Sequence, residues 1–205
     1  MRLEDVADFT PMPQEYPAAV GEAKFILIDL AEQFLGAYEY GRLVFSAPIA
    51  TGEKDNATPA GEFVITAAHR HHRSSRYTIE KTTIPYPMNY ALRFHTSRGG
   101  VAFWIHGRDI PGYPASHGCI GLYDEPMQTK YYGYPREPIL EDARTLYNWV
   151  LAPLPEDEKY RILGSGPRVL IIGQAPLRLR GSSRARPRNQ PAPQRAPEAT
   201  HQNGA

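Results

Sequence analysis

The apolar positions of this chain fall in short runs divided by turn residues. Residues 24–30 (KFILIDL) make a compact apolar run, and residues 33–40 (QFLGAYEY) make a second, aromatic-rich one. Gly41 supplies a turn and residues 42–50 (RLVFSAPIA) return, so the spacing predicts a meander of antiparallel strands. Further strands are expected over 61–67, 91–95, 101–106 and 168–172. Only one segment reads as a helix. Over 137–152, Ile139, Leu140, Ala143, Leu146, Tyr147, Val150 and Leu151 recur at helical spacing, with Pro138 in the first turn and Pro153 stopping the run.

Composition agrees with a mainly β domain. The 205 residues are 41% hydrophobic, enough for one core and an appendage, and too apolar for a disordered chain. Thirteen tyrosines, 20 prolines and 17 glycines suit strands and turns better than a helical bundle. A net charge of +1 excludes a dedicated nucleic-acid binder. The charge is nevertheless uneven: residues 175–205 hold six arginines against Glu198 alone, with five prolines and no large apolar residue after Leu179. That tail is expected to be disordered, either simply solvated or held near an anionic polymer or membrane surface. Residues 1–22, with Pro11, Pro13 and Pro17, read as an extended leader lying on a body that spans 23–174. No run approaches the roughly 20 apolar residues of a membrane helix. The first ten residues hold three acids and no apolar h-region, so no secretory signal is read there.

The single cysteine excludes an intrachain disulfide and any multi-cysteine zinc site. It lies in the most informative stretch, residues 101–123 (VAFWIHGRDIPGYPASHGCIGLY). An apolar strand runs into His106-Gly107, a Pro/Gly-containing loop follows, and then comes Ser116-His117-Gly118-Cys119-Ile120. A free thiol has a pKa of about 8.5, and a neighbouring imidazole can take its proton to give a nucleophilic thiolate–imidazolium pair. His106 and His117 are both candidates for that base. Backbone amides near Gly118 could face a developing oxyanion. The alternatives are a buried structural cysteine beside hydrogen-bonded histidines, or a zinc site completed by Asp109 or Asp124. In 69–73 (HRHHR), adjacent histidines of a strand would point to opposite faces and the arginines would repel a cation, so this is read as a solvated loop.

The box 116–120, preceded by Ile105-His106-Gly107, resembles the signature of the L,D-transpeptidase (YkuD-type) catalytic domain. Residues 24–29 with Gln33 look like that family's opening strand. Ala50-Thr51-Gly52 and Thr58-Pro59-Ala60-Gly61-Glu62-Phe63 are similar to its TG and TPxGxF turns. Residues 88–94 look like its MPYxxxF strand, and residues 142–150 and 166–172 resemble its closing helix and last strand. The resemblance implies an L,D-transpeptidase-like β-sandwich of mixed sheets with one helix toward the C-terminal side.

The same resemblance implies Cys119 as nucleophile, His106 as general base and the Gly107 carbonyl as the group orienting the imidazole. His117 and Gly118 would shape the oxyanion hole with the Cys119 amide, and Ser116 would hold the loop. Tyr90 would either line the acyl-donor pocket or sit in the core. The implied reaction is acyl transfer on a peptidoglycan tetrapeptide stem, forming 3→3 cross-links or exchanging the terminal D-amino acid, with no metal or organic cofactor. Carbapenem acylation of Cys119 is expected. Two departures stand out. The family usually has arginine two positions after the cysteine, where this chain has Gly121; Arg93 or Arg108 could replace it, bracing the loop or meeting a substrate carboxylate. Residues 123–141 form an aromatic insertion, read as either a lid or a packed excursion. The departures keep open an L,D-carboxypeptidase or endopeptidase that uses water, or a non-catalytic wall-binding module. The implied place of work is the cell envelope, periplasmic, with a leader peptide expected to be missing from this chain.

Overall fold

Residues 24–30 are apolar at nearly every position because the strand they form is buried on both faces, which removes the polar alternation of a solvated strand. The structure, a computed structural model, describes residues 10–153 and 159–176. In chain order the strands are β1 (Phe25–Asp29), β2 (Phe34–Glu39), β3 (Arg42–Pro48), β4 (Gly61–Val64), β5 (Ala67–Thr78), β6 (Pro85–Thr96), β7 (Ala102–Arg108) and β8 (Ile120–Tyr123). Helices α1 (Glu125–Tyr132) and α2 (Asp142–Leu151) follow, then β9 (Arg161–Ile162) and β10 (Arg168–Ile172). They build two five-stranded sheets, ordered β3-β2-β1-β10-β4 and β8-β7-β6-β5-β9. Each sheet is mixed: β1 runs parallel to β10 and β7 parallel to β8, with the other pairs antiparallel.

The main core lies between the sheets. Ile26, Ile28 and Leu35 meet Leu92, Phe94, Ile105, Ile120 and Leu122, and α2 adds Leu146, Tyr147 and Val150. On the other face of β1, Phe25 and Leu27 pack with Met12 and Tyr38, and Tyr16 stacks on Phe25 at 5.5 Å. Each such side chain contributes about 1.5–3 kcal/mol when fully buried. Residues 10–22 thus cover the outer face of the first sheet. Of the expected tail only residues 175 and 176 fall within the described residues; residues 1–9 and 177–205 lie outside them. Among the described residues no helix is long and apolar enough to cross a membrane.

Four expectations need correction. The helix begins at Asp142, not at 137, because the Glu125 carboxylate accepts the amides of Ile139 (2.7 Å) and Leu140 (2.9 Å) and holds them outside it. A second helix, α1, lacks an apolar stripe and escapes the periodicity argument; Asp124 caps it by accepting from Met127 N, and Gly133 closes it at φ 75°. Residues 69–73 are not a loop but the middle of β5, paired with β6 through His69↔Ala91 and His72↔Met88. β6 itself begins at Pro85, well before 91.

Candidate active site

The parallel pairing of β7 and β8 sets Ile105 beside Ile120 and His106 beside Gly121. Strand side chains alternate, so Ile105, Ile120 and Leu122 enter the core while Trp104, His106 and Cys119 share the outer face of the second sheet. Thirteen residues apart in sequence, His106 on β7 and Cys119, the residue just before β8, are therefore brought onto one face. Cys119 packs with Met88, Ala91 and Trp104, and Tyr86 belongs to the same cluster. The Tyr86 ring meets His106 edge-on at 6.5 Å.

His106 is 4% exposed, and its Nδ1 donates to the Gly107 carbonyl at 2.9 Å. A carbonyl only accepts, so this bond puts the proton on Nδ1 and leaves Nε2 as the basic nitrogen. Burial pulls the His106 pKa down to about 3; the Gly107 bond opposes this, while Arg108 and His72 add to it. Burial also pushes the Cys119 thiol up, against a backbone hydrogen bond from Trp104 and the charge of Arg108. Both groups are driven toward their neutral forms, so the resting pair is thiol and imidazole rather than thiolate and imidazolium.

The turn before β8 is held by side chains. The Ser116 hydroxyl donates to the Cys119 carbonyl and accepts from Gly118 N at 3.1 Å. Thr58 Oγ1 donates to the Gly118 carbonyl (3.0 Å) and accepts from Gly52 N (2.9 Å). Gly118 has φ 104°, and a β-carbon there would run into the Phe103 ring, so glycine is required. Its amide is committed to Ser116, and its conformation is what shapes the loop.

His117 is exposed and stacks on Tyr77 at 4.2 Å, joining the β5–β6 hairpin to the loop. Arg93 lies beside Trp104 in the β6–β7 register, its guanidinium 5.9 Å from the indole and its Nε donating to Thr66 Oγ1. Arg108 Nε donates to the Asp109 carbonyl at 2.9 Å, and its stem lies across Gly121. Tyr90 is not brought to this face. It has a φ of 55° and packs against the main core, where its ring meets Tyr147 of α2 at 5.8 Å.

Several residues around the pair carry no sequence signal of their own. His72 lies on Trp104 at 4.3 Å, and burial lowers its pKa to about 4. Buried Asp124 accepts from Asn89 Nδ2 (3.0 Å) and from Met127 N (3.1 Å), which occupies both oxygens within the fold. The insertion is a packed element: Asp124 lies on Gly107, Gln128 points Nε2 at the Arg108 carbonyl (3.5 Å), and Tyr132 neighbours Tyr86. The caps Asp124 and Gly133, with Glu125 and Pro126 in the first turn, are what mark α1 in the sequence.

Residues 23–171 match the family model of the L,D-transpeptidase catalytic domain (YkuD). A comparison with curated proteins finds no match. Among solved structures, an L,D-transpeptidase from Stackebrandtia nassauensis is 22% identical, with TM-score 0.48, 75% of this chain covered and 57% of that one. One from Xylanimonas cellulosilytica is 25% identical, with TM-score 0.46 and coverage of 82% and 66%. L,D-transpeptidase 3 from Mycobacterium tuberculosis, in complex with a faropenem-derived adduct, is 19% identical, with TM-score 0.48 and coverage of 73% and 60%. The chain spans under two thirds of each of these three chains.

Proposed function

The chain belongs to the L,D-transpeptidase catalytic domain family, and on that premise we propose that it is a peptidoglycan L,D-transpeptidase working through a thioester on Cys119. The observation that carries this reading is the pairing of β7 with β8, which sets Cys119 and His106 on one face with the His106 proton held on Nδ1 by Gly107. Cys119 Sγ attacks the carbonyl joining the third stem residue to the terminal D-alanine. Its proton passes to His106 Nε2 as the sulfur bonds, so neither buried charge has to exist beforehand. The Cys119 amide faces the oxyanion, and a dry surround strengthens that contact. As the tetrahedral intermediate collapses, the C–N bond breaks and the D-alanine amine takes the proton from His106. The stem is left as a thioester. A second stem amine, or a free D-amino acid, then attacks the thioester, gives its proton to His106 Nε2 and releases Cys119 as the thiol. Water in place of the amine would make the protein an L,D-carboxypeptidase.

This chemistry places the protein at the cell envelope, where its substrate is. A penem or carbapenem carbonyl would be attacked by the same sulfur, in keeping with the faropenem-derived adduct of one structure it is similar to. The test is a mass-spectrometric product assay on the disaccharide-tetrapeptide, with and without D-methionine, beside Cys119→Ala. Cross-linked dimer or D-methionine-exchanged stem, absent from the Cys119→Ala reaction, is the expected result. Tripeptide alone would assign water as the acceptor. No product in any arm would overturn the enzymatic reading in favour of a wall-binding module.

A further inference from the structure

Gly121 is enclosed on several sides. Its N–H donates to the Ala50 carbonyl (2.8 Å), its own carbonyl accepts from Ala50 N (3.1 Å), and β7 pairs with it at His106. Over its remaining face runs the stem of Arg108: a β-carbon added to Gly121 would fall on Arg108 Cγ and Cδ. Beyond glycine 121 the guanidinium turns to the loop that leads into the nucleophile. Nε donates to the Asp109 carbonyl (2.9 Å), Nη1 reaches the Ala115 carbonyl (3.4 Å), and Nη2 lies 3.5 Å from Asp109 Oδ1. The Arg108 side chain is 13% exposed.

We propose that Arg108 is a positioning residue for Cys119. Laid across Gly121, it ties together the two ends of loop 109–115 and holds a fixed cation beside the reacting pair. Glycine at 121 provides the space for this arrangement, so the two positions act as one unit. The guanidinium's contacts to Asp109 and Ala115 serve the protein, which sets a loop brace above a substrate-carboxylate anchor. A low-lying guanidinium favours the sulfur anion that forms as the thiol gives up its proton, and it disfavours imidazolium. The titratable and charged groups packed around the pair are His72 from β5, Tyr86 from β6, Arg108 from β7, Asp109 from the loop and Tyr132 from α1. Among them Arg108 is the permanent cation.

The inference rests on Cys119 and His106 being the reacting pair, and the main arm of its test, thiol alkylation, needs no peptidoglycan. The rate of Cys119 alkylation by iodoacetamide is followed against pH by intact mass on the full chain, with circular dichroism reporting the fold. Arg108→Gln is expected to raise the alkylation midpoint by about half a pH unit or more. Arg108→Lys, which keeps the charge without the fork, is expected to hold the midpoint near that of the native chain. Gly121→Arg alone is expected to lower Tm, because the two side chains compete for one space. The exchange Arg108→Gly with Gly121→Arg is expected to restore both Tm and midpoint. A folded Arg108→Gln variant with an unchanged midpoint would overturn the proposal, as would an exchange variant that folds and leaves the midpoint raised. So would an Arg108→Lys variant whose defect is confined to KM, since that marks a substrate anchor. If the product assay fails while the midpoint shifts, the reading of the substrate falls and the role of Arg108 stands.

Discussion

Asp124 lies against Gly107, closing the face of the residue whose carbonyl holds His106. A β-carbon on Gly107 would come within 2.6 Å of the Asp124 carboxylate and its Cβ. Asp124 has little room to yield, because Asn89 and the first turn of α1 hold its two oxygens. Gly107→Ala is therefore expected to cost about 1–3 kcal/mol of stability through overpacking. It is also expected to lower turnover at least tenfold by shifting the Gly107 carbonyl. Thermal melts and the stem-cleavage rate check both; a variant with native Tm and rate would show that this contact is soft.

Ser116 serves two backbone groups of the nucleophile turn with one hydroxyl. Ser116→Ala leaves a buried amide and a carbonyl without that partner, a loss of about 1–3 kcal/mol. Cys119 alkylation and stem turnover are both expected to fall, since the turn that presents the sulfur loosens. Urea unfolding and single-turnover kinetics measure the two effects. Equal stability in the two proteins would contradict the account.

The buried, neutral pair predicts how the free protein meets an alkylating agent. Burial pushes the Cys119 thiol above its ordinary value and pulls His106 down to about 3. Iodoacetamide alkylation of Cys119 is therefore expected to be slow at pH 6–7 and to rise through pH 9 and beyond. A plateau of fast alkylation between pH 5 and 7 would reveal a preformed thiolate–imidazolium pair instead.

Acid is expected to destabilise the fold through two histidines. Burial holds His72 at about 4 and His106 at about 3 in the folded chain, against an ordinary value of 6.5. The unfolded chain binds more protons in that window, so their contribution is full above pH 6.5 and is lost as pH falls through 4 toward 3. His72→Phe keeps a ring on Trp104 and removes one titration. The fall in Tm between pH 7 and pH 4.5 is expected to be smaller in this variant than in the native chain. An identical fall in both proteins would remove His72 from the account.

What could be read in the sequence follows from where the information lies. β1 was legible because burial on both faces leaves an unbroken apolar run. The box from His106 to Cys119 was legible because the turn chemistry that shapes it, Ser116 and Gly118, is local. β5 was not, because backbone pairing with β6 holds a strand whose exposed positions are arginines and histidines. Tyr90 sits where a positive φ breaks the alternation, so no period-two argument could assign its face. The surround of the pair, His72, Tyr86 and Trp104, is set by register between β5, β6 and β7, which a single chain does not display. Arg108 over Gly121 belongs to the same class. Residues 105–108 run alongside residues 120–123, and only their shared register shows that one residue fills the space left by the other.

The most direct test of the central claim is intact-mass detection of the acyl-enzyme. The full chain is mixed with excess tetrapeptide stem, quenched in acid within the first turnovers and weighed, with released D-alanine counted in parallel. The account predicts an adduct equal to the stem less D-alanine, mapped to Cys119, with one D-alanine released for each adduct and none from Cys119→Ala. D-Alanine release that persists in Cys119→Ala, without any adduct on the native chain, would contradict it.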